Sequence, residues 1–262
     1  MRSLREIKLF LLDMDGTIYL GDNLFPCTRP FLDELNKHGI DFLFLTNNSS
    51  RSKKEYQVKL KRLGIDAALK NLITSGDVTI DFIKEHYPGQ RVYLVGTKAL
   101  EESFAEEGIR LCPYTDADIV VVGFDLSLSY DKLNGIYQMV RGNKGYICTH
   151  PDLVCPTEDG YIPDIGATIA YIEALTGRKP DHIIGKPQSY MIKAAAKRFN
   201  RPKDVIAMVG DRLYTDIKMA VDASITSVLV LSGETSEDDL AGSATVPDYV
   251  FEDLSGITEM LR

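Results

Sequence analysis

Asp13-Met14-Asp15-Gly16-Thr17 is the stretch whose reading decides the fold of this chain. It follows Ile7-Lys8-Leu9-Phe10-Leu11-Leu12, an apolar run of strand length, and Gly16 punctuates it. Two carboxylates two residues apart at the end of a parallel strand stand where open α/β sheets keep their ligand crevice. One such carboxylate can attack phosphorus while the other moves a proton. An acidic loop that opens a helix has the same local appearance, so the rest of the chain must arbitrate.

Working outward, apolar runs alternate with amphipathic helical stretches along the whole chain. That alternation predicts a parallel sheet with crossover helices. Further strands are expected near residues 41–46, 72–74, 91–95, 119–122, 146–148, 182–184, 205–209, 227–231 and 249–251. The helical stretch from Pro30 to Lys37 stops at Gly39, which suits a C-terminal cap. Ser52 with Glu55 fits a capping box for a helix that reaches Leu63 and ends at Gly64.

The 262 residues suffice for one large or two modest domains, and 44% hydrophobic with 26% charged residues is ordinary for a globular chain. Thirty Lys and Arg against 38 Asp and Glu leave a net charge of −8, which argues against nucleic acid as a partner. The N-terminal segment Met1-Arg2-Ser3-Leu4-Arg5-Glu6 has no apolar leader. No apolar run approaches the ~18–20 residues a membrane span needs, so no membrane partner and a cytoplasmic location are expected. Cys27, Cys112, Cys148 and Cys155 read as reduced thiols. Cys148-Thr149-His150 with Cys155 offers three soft ligands and no obvious fourth, which argues against zinc.

Three later segments bear on the first. Leu45-Thr46-Asn47-Asn48-Ser49-Ser50 ends a strand in small hydroxyl and amide residues, which suit either an anion or a capped polar turn. Ile184-Gly185-Lys186-Pro187 precedes a helical stretch from Gln188 to Phe199, with Pro187 expected in its first turn. A lysine there conflicts with the positive helix end unless an anion lies between them or the side chain points into solvent. In Val209-Gly210-Asp211-Arg212-Leu213-Tyr214-Thr215-Asp216, Asp211 lands at a strand end like Asp13. Asp211 is placed to ligate a metal. Asp216 is placed to orient Lys186 or a metal-bound water, or simply to complement a helix dipole.

In order and residue type, the four segments together resemble the haloacid dehalogenase-like phosphatase superfamily over nearly the whole chain. The long insertion between the second and third segments is similar to the C2-type cap of the NagD-like, or 4-nitrophenylphosphatase-type, branch. Gly210-Asp211-Arg212-Leu213-Tyr214-Thr215-Asp216-Ile217 is especially similar to that branch. The resemblance implies an α/β fold: a Rossmann-like parallel core sheet with helices on both faces and an inserted α/β cap domain. It implies a core of residues 1–77 plus 182–262 and a substrate-specificity cap at 78–181, hinged near Gly76-Asp77 and Pro180-Asp181. It also implies Mg²⁺ and an aspartyl-phosphate intermediate. Carried over by position, Asp13 resembles the nucleophile and Asp15 the general acid/base. Thr46, Asn47 through its backbone, and Lys186 resemble the phosphate binders. Asp13, the Asp15 carbonyl and Asp211 resemble the Mg²⁺ ligands, with Asp216 behind them.

The implied activity is Mg²⁺-dependent hydrolysis of a small phosphorylated metabolite. A phosphotransferase or mutase of the same superfamily is an alternative, and so is a non-catalytic phosphometabolite-binding protein. A core that binds only phosphate cannot choose leaving groups, so choice is expected in the cap. The expected specificity residues are His150, Asp152, Asp164 and Ile165, at two polar turns. Branch members commonly carry Asn where His150 stands. Whether two copies pair through the cap as a homodimer is left open by the sequence.

Overall fold

A computed structural model describes residues 3–157 and 160–262; Met1 and Arg2 of the N-terminal segment, with Glu158 and Asp159, lie outside the described residues. Strands follow in chain order as β1 (Leu9–Leu12), β2 (Tyr19–Leu20), β3 (Asn23–Leu24), β4 (Asp41–Thr46), β5 (Leu72–Thr74), β6 (Arg91–Val95), β7 (Arg110–Leu111) and β8 (Ile119–Val122). They continue as β9 (Gly145–Cys148), β10 (Val154–Thr157), β11 (Gly160–Pro163), β12 (His182–Ile183), β13 (Ile206–Gly210), β14 (Thr226–Val230) and β15 (Tyr249–Phe251). The helices are α1 (Thr28–Lys37), α2 (Lys53–Arg62), α3 (Ser75–His86), α4 (Lys98–Glu106) and α5 (Tyr130–Arg141). After them come α6 (Ile165–Thr176), α7 (Tyr190–Phe199), α8 (Lys218–Ala223), α9 (Glu237–Ala241) and α10 (Leu254–Leu261).

The chain forms two compact units. One contains the chain up to Thr46, Gln57–Ile73 and Lys186–Arg262; the other contains Asn47–Tyr56 and Thr74–Gly185. The second is therefore wider than residues 78–181, because it includes the turn that carries Asn47.

In the first unit the sheet order is β15-β14-β13-β1-β4-β5. β1 runs parallel to both neighbours, Leu12 opposite Val209 on one side and Phe44 on the other. All four β1 residues are buried, as a strand covered on both faces requires. From β1 the chain goes first to β4 and β5, then returns to the other side for β13, β14 and β15. Strand order reverses at β1, and the carboxyl ends around such a reversal form the crevice of an open α/β sheet. Asp13, Thr46 and Asp211 lie at the carboxyl ends of β1, β4 and β13.

In the second unit β12-β9-β8-β6-β7 form another parallel sheet. Its core joins Val120, Val122 and Tyr146 of the strands to Ile136, Met139 and Val140 of α5 and Ile165 and Ile172 of α6. The expected capping box is present: Ser52 N–H donates to Glu55 Oε2 at 2.8 Å, and Glu55 N–H to Ser52 Oγ at 3.3 Å.

Several local features depart from the expectation. The hairpins β2–β3 and β10–β11 were not expected. α7 begins at Tyr190, so Pro187 precedes the helix instead of sitting in its first turn. Asp216 lies not in an ordinary helix start but in a π-helical turn, Leu213–Ile217, before α8. Among the described residues, no helix is long and apolar enough to cross a membrane. The four cysteines are free thiols.

Candidate active site

The first unit gathers its acids at the carboxyl end of β1. Asp13 N–H donates to Val209 O at 2.9 Å, extending the β1–β13 ladder by one residue and fixing the origin of the side chain. Asp211 follows β13 directly. Carboxylate oxygens of Asp13, Asp211 and Asp216 lie within 4.8 Å of one another, and all three residues are buried. Lys186 Nζ donates to Asp13 Oδ1 and stands 2.7 Å from Asp216 Oδ1. Its charge is thus balanced by two carboxylates, which corrects the expected conflict between a lysine and the end of the following helix.

The π-helical turn is what aims Asp216 inward. Arg212 O accepts from the N–H groups of both Asp216 and Ile217, a widened turn of the kind found at functional sites. Asp216 Oδ2 accepts from Arg212 N–H at 3.3 Å. A Cβ at Gly210 would collide with Asp216, so the strand end has room for this carboxylate only because it is glycine.

Asp211 is held from two sides. Thr17 Oγ1 donates to its Oδ1 at 3.4 Å, and Glu234 N–H donates to its Oδ2 at 2.8 Å. Gly16, at φ +91°, and Gly233 both face this carboxylate, and a Cβ on either would run into it. Ser232 Oγ donates to Gly16 O at 2.8 Å, so residues 232–235 stitch the Asp15-Gly16 turn to Asp211. Glu234 itself pairs with Arg212 Nε at 2.8 Å and accepts from Tyr214 Oη at 2.7 Å.

Electrostatics follow from this crowding. Burial first, then the Asp13 and Asp216 charges, push the Asp211 carboxyl up to about 8. Burial raises Asp216 too, against the pull of Lys186. Burial alone would lower Lys186; Asp13 and Asp216 outweigh it and hold the ammonium above its ordinary range. Three buried carboxyl groups share one ammonium, and a carboxyl group that resists ionising marks negative charge still to be compensated. The donor set is all oxygen, which suits a hard divalent ion such as Mg²⁺.

Asp15 is different. Its side chain is 38% exposed, and Lys59 Nζ lies 3.9 Å from its Oδ1. Thr46 is buried at the end of β4.

Asn47 and the expected specificity residues belong to the second unit. Asn47 Nδ2 donates to Asp152 Oδ1 and Oδ2 at 3.0 and 3.2 Å, and Ser75 Oγ donates to Asn47 O. His150 is wholly buried, with Nδ1 3.0 Å from Thr149 Oγ1 and Nε2 3.0 Å from Asp164 Oδ1. Asp164 also caps α6 by accepting from Ile165 N–H at 2.6 Å. Ser49 Oγ, 2.9 Å from Thr149 Oγ1, extends this chain and accepts from Phe124 N–H. Ile165 is a core residue, and of the four only Asp152 reaches the surface in part.

Lys59, Thr17 and residues 232–235 were missed from the sequence. Ser232-Gly233 is an ordinary turn signal, and Lys59 is one of several lysines on a helix; neither has a local mark pointing to the acids.

An acid cluster at strand carboxyl ends beside a buried lysine, at the switch point of a parallel sheet, is the ligand crevice of an open α/β protein with groups able to hold a metal ion and an anion. Comparison with known proteins narrows this. A family model described as haloacid dehalogenase-like hydrolase matches residues 10–110, and a HAD-hydrolase-like model matches residues 183–257. The acid sugar phosphatase of Staphylococcus aureus (strain MRSA252) is 33% identical over 252 residues, 96% of this chain and 97% of that one. The solved 4-nitrophenylphosphatase of Thermotoga maritima is 42% identical with a TM-score of 0.96, each chain covered fully. The glycerol phosphate phosphatase of Mycobacterium tuberculosis, solved in complex with magnesium, is 30% identical with a TM-score of 0.89 over all of this chain and 78% of its own. The chain belongs to the haloacid dehalogenase-like hydrolases. Its solved neighbours place it among the NagD-like and nitrophenylphosphatase-type members.

Proposed function

We propose that this chain is a Mg²⁺-dependent phosphomonoesterase that hydrolyses a small phosphorylated metabolite through an aspartyl-phosphate on Asp13. Phosphate-monoester hydrolysis is the reaction of the family members it matches. A sugar phosphate or a polyol phosphate is the substrate class, in keeping with the relatives named acid sugar phosphatase and glycerol phosphate phosphatase.

The observation that carries the reading is the buried group of Asp13, Asp211 and Asp216 around Lys186. Asp13, Asp211 and the Asp15 carbonyl would hold Mg²⁺, which lowers the repulsion between an anionic nucleophile and an anionic ester. Thr46 and Lys186, with the Asn47 backbone, hold the phosphoryl oxygens. Asp216 keeps the Lys186 ammonium in place as phosphate competes for its contact with Asp13. An Asp13 oxygen attacks phosphorus, and the bond to the leaving oxygen breaks. Asp15 gives that oxygen a proton. In the second half, Asp15 takes a proton from water as the water attacks phosphorus and frees Asp13. Choice of leaving group falls to the second unit. There Asp152, which accepts from Asn47, is the partly exposed one of the four, while His150, Asp164 and Ile165 shape the turn that carries it.

Chelation should abolish turnover and Mg²⁺ should restore it; full turnover without metal would sink the proposal. Rapid-quench labelling tests the intermediate. Asp13→Asn should form no phosphoenzyme, and a label on any other residue of that variant removes Asp13 from its role.

A further inference from the structure

Lys59 is the one basic residue of α2 that turns toward the acids of the site. Lys54, Lys61 and Arg62 of the same helix are exposed, whereas the Lys59 side chain is only 11% exposed. Its ammonium lies 3.9 Å from the centroid of the buried Tyr19 ring and 3.9 Å from Asp15 Oδ1. A lysine that gives up water in this way needs compensation, and the ring face and the carboxylate supply it.

The backbone here is already stiff. Gly16 N–H donates to Tyr19 O at 2.8 Å, and Asp15 and Tyr19 form an isolated bridge. The Asp15 side chain, 38% exposed, is the most exposed of the site's carboxyl groups, since Asp13, Asp211 and Asp216 are buried. A group that must meet a leaving oxygen and then a water gains most from being held in one orientation. We propose that Lys59 is a positioning residue for Asp15: it steers the carboxyl group toward the leaving-group oxygen without binding the phosphoryl group. At 3.9 Å the contact is an ion pair rather than a hydrogen bond. The inference rests on the reading of Asp15 as general acid/base.

Lys59→Met tests it, because methionine keeps an apolar stem against Tyr19 and removes the charge. The measurement is kcat/KM for 4-nitrophenyl phosphate, whose leaving group departs without a proton, and for phenyl phosphate, whose leaving group needs one. Lys59→Met should lose about tenfold or more on phenyl phosphate beyond its loss on the nitrophenyl ester. The inhibition constant of inorganic phosphate should stay within about twofold. Asp15→Asn is the reference. If Asp15→Asn itself loses equally on both esters, the acid/base reading fails. If Asp15→Asn discriminates between the esters and Lys59→Met does not, the positioning role alone is overturned. Weakened inhibition by inorganic phosphate would overturn it too, by making Lys59 a phosphate binder. Should Lys59→Met fail to fold, Lys59→Gln takes its place under the same criteria.

Discussion

Lys186 Nζ stands 2.7 Å from Asp216 Oδ1, while Asp13 Oδ1 accepts from the same ammonium. The three residues come from three separate segments and are all buried. A buried ammonium and a buried carboxylate each lower the cost of burying the other's charge.

Asp216→Asn should therefore cost stability as well as rate. About 3 kcal/mol is expected, the low end for splitting a buried ion pair, because Asp13 still partners Lys186. Urea unfolding checks this. Lys186 is raised above its ordinary value, so its contribution is complete below the ordinary ammonium range and fades only as pH rises through the raised value. The wild-type minus Asp216→Asn difference should then shrink in strong alkali, and also as pH rises from the ordinary carboxylate value through the raised one of Asp216.

Metal-free protein should show a second pH dependence, from Asp211. Its carboxyl is raised from 3.8 to about 8, so the native state holds a proton the unfolded state has lost. That contribution is present below the ordinary carboxylate value and disappears as pH rises toward about 8. On the proposed assignment Mg²⁺ would replace that proton. Its stabilisation, read as a shift in Tm, should be larger at about pH 8.5 than at about pH 5.5. An equal shift at both values would contradict the assignment of Asp211 to the metal.

Gly16→Ala and Gly233→Ala should both weaken metal binding, since each Cβ would meet the Asp211 carboxylate. Gly16→Ala adds strain at φ +91°, expected to cost about 1–3 kcal/mol. Mn²⁺ titration followed by paramagnetic relaxation should give a dissociation constant about tenfold or more above wild type in both, as expected when a ligand is displaced.

His150→Ala should act mainly on stability. It removes one hydrogen-bond partner each from Thr149 Oγ1, which keeps Ser49 Oγ, and Asp164 Oδ1, which keeps the Ile165 N–H, inside the second unit. Each lost hydrogen bond is worth about 0.5–1.5 kcal/mol, read as a lower Tm. Equal losses of kcat/KM on every ester would fit a role in shaping the turn. A loss confined to some leaving groups would instead fit substrate contact.

What the sequence by itself determined is what depends on neighbours along the chain. The apolar run before Asp13, the Ser52/Glu55 capping box, and the strand ends at Thr46 and Asp211 are set by periodicity and turn chemistry within a few residues. The four segments together were enough to identify the family. What only the tertiary structure decided depends on residues far apart in sequence. It grouped Lys186 with Asp13 and Asp216, brought Lys59 against Tyr19 and Asp15, and laid residues 232–235 across Asp211. It also buried His150, whose place after a strand is equally compatible with a surface turn. The physical reason is that burial and charge pairing are summed over the whole packed sheet. A lysine's partner is whichever carboxylate the strand order brings to it, and no local pattern encodes that distance.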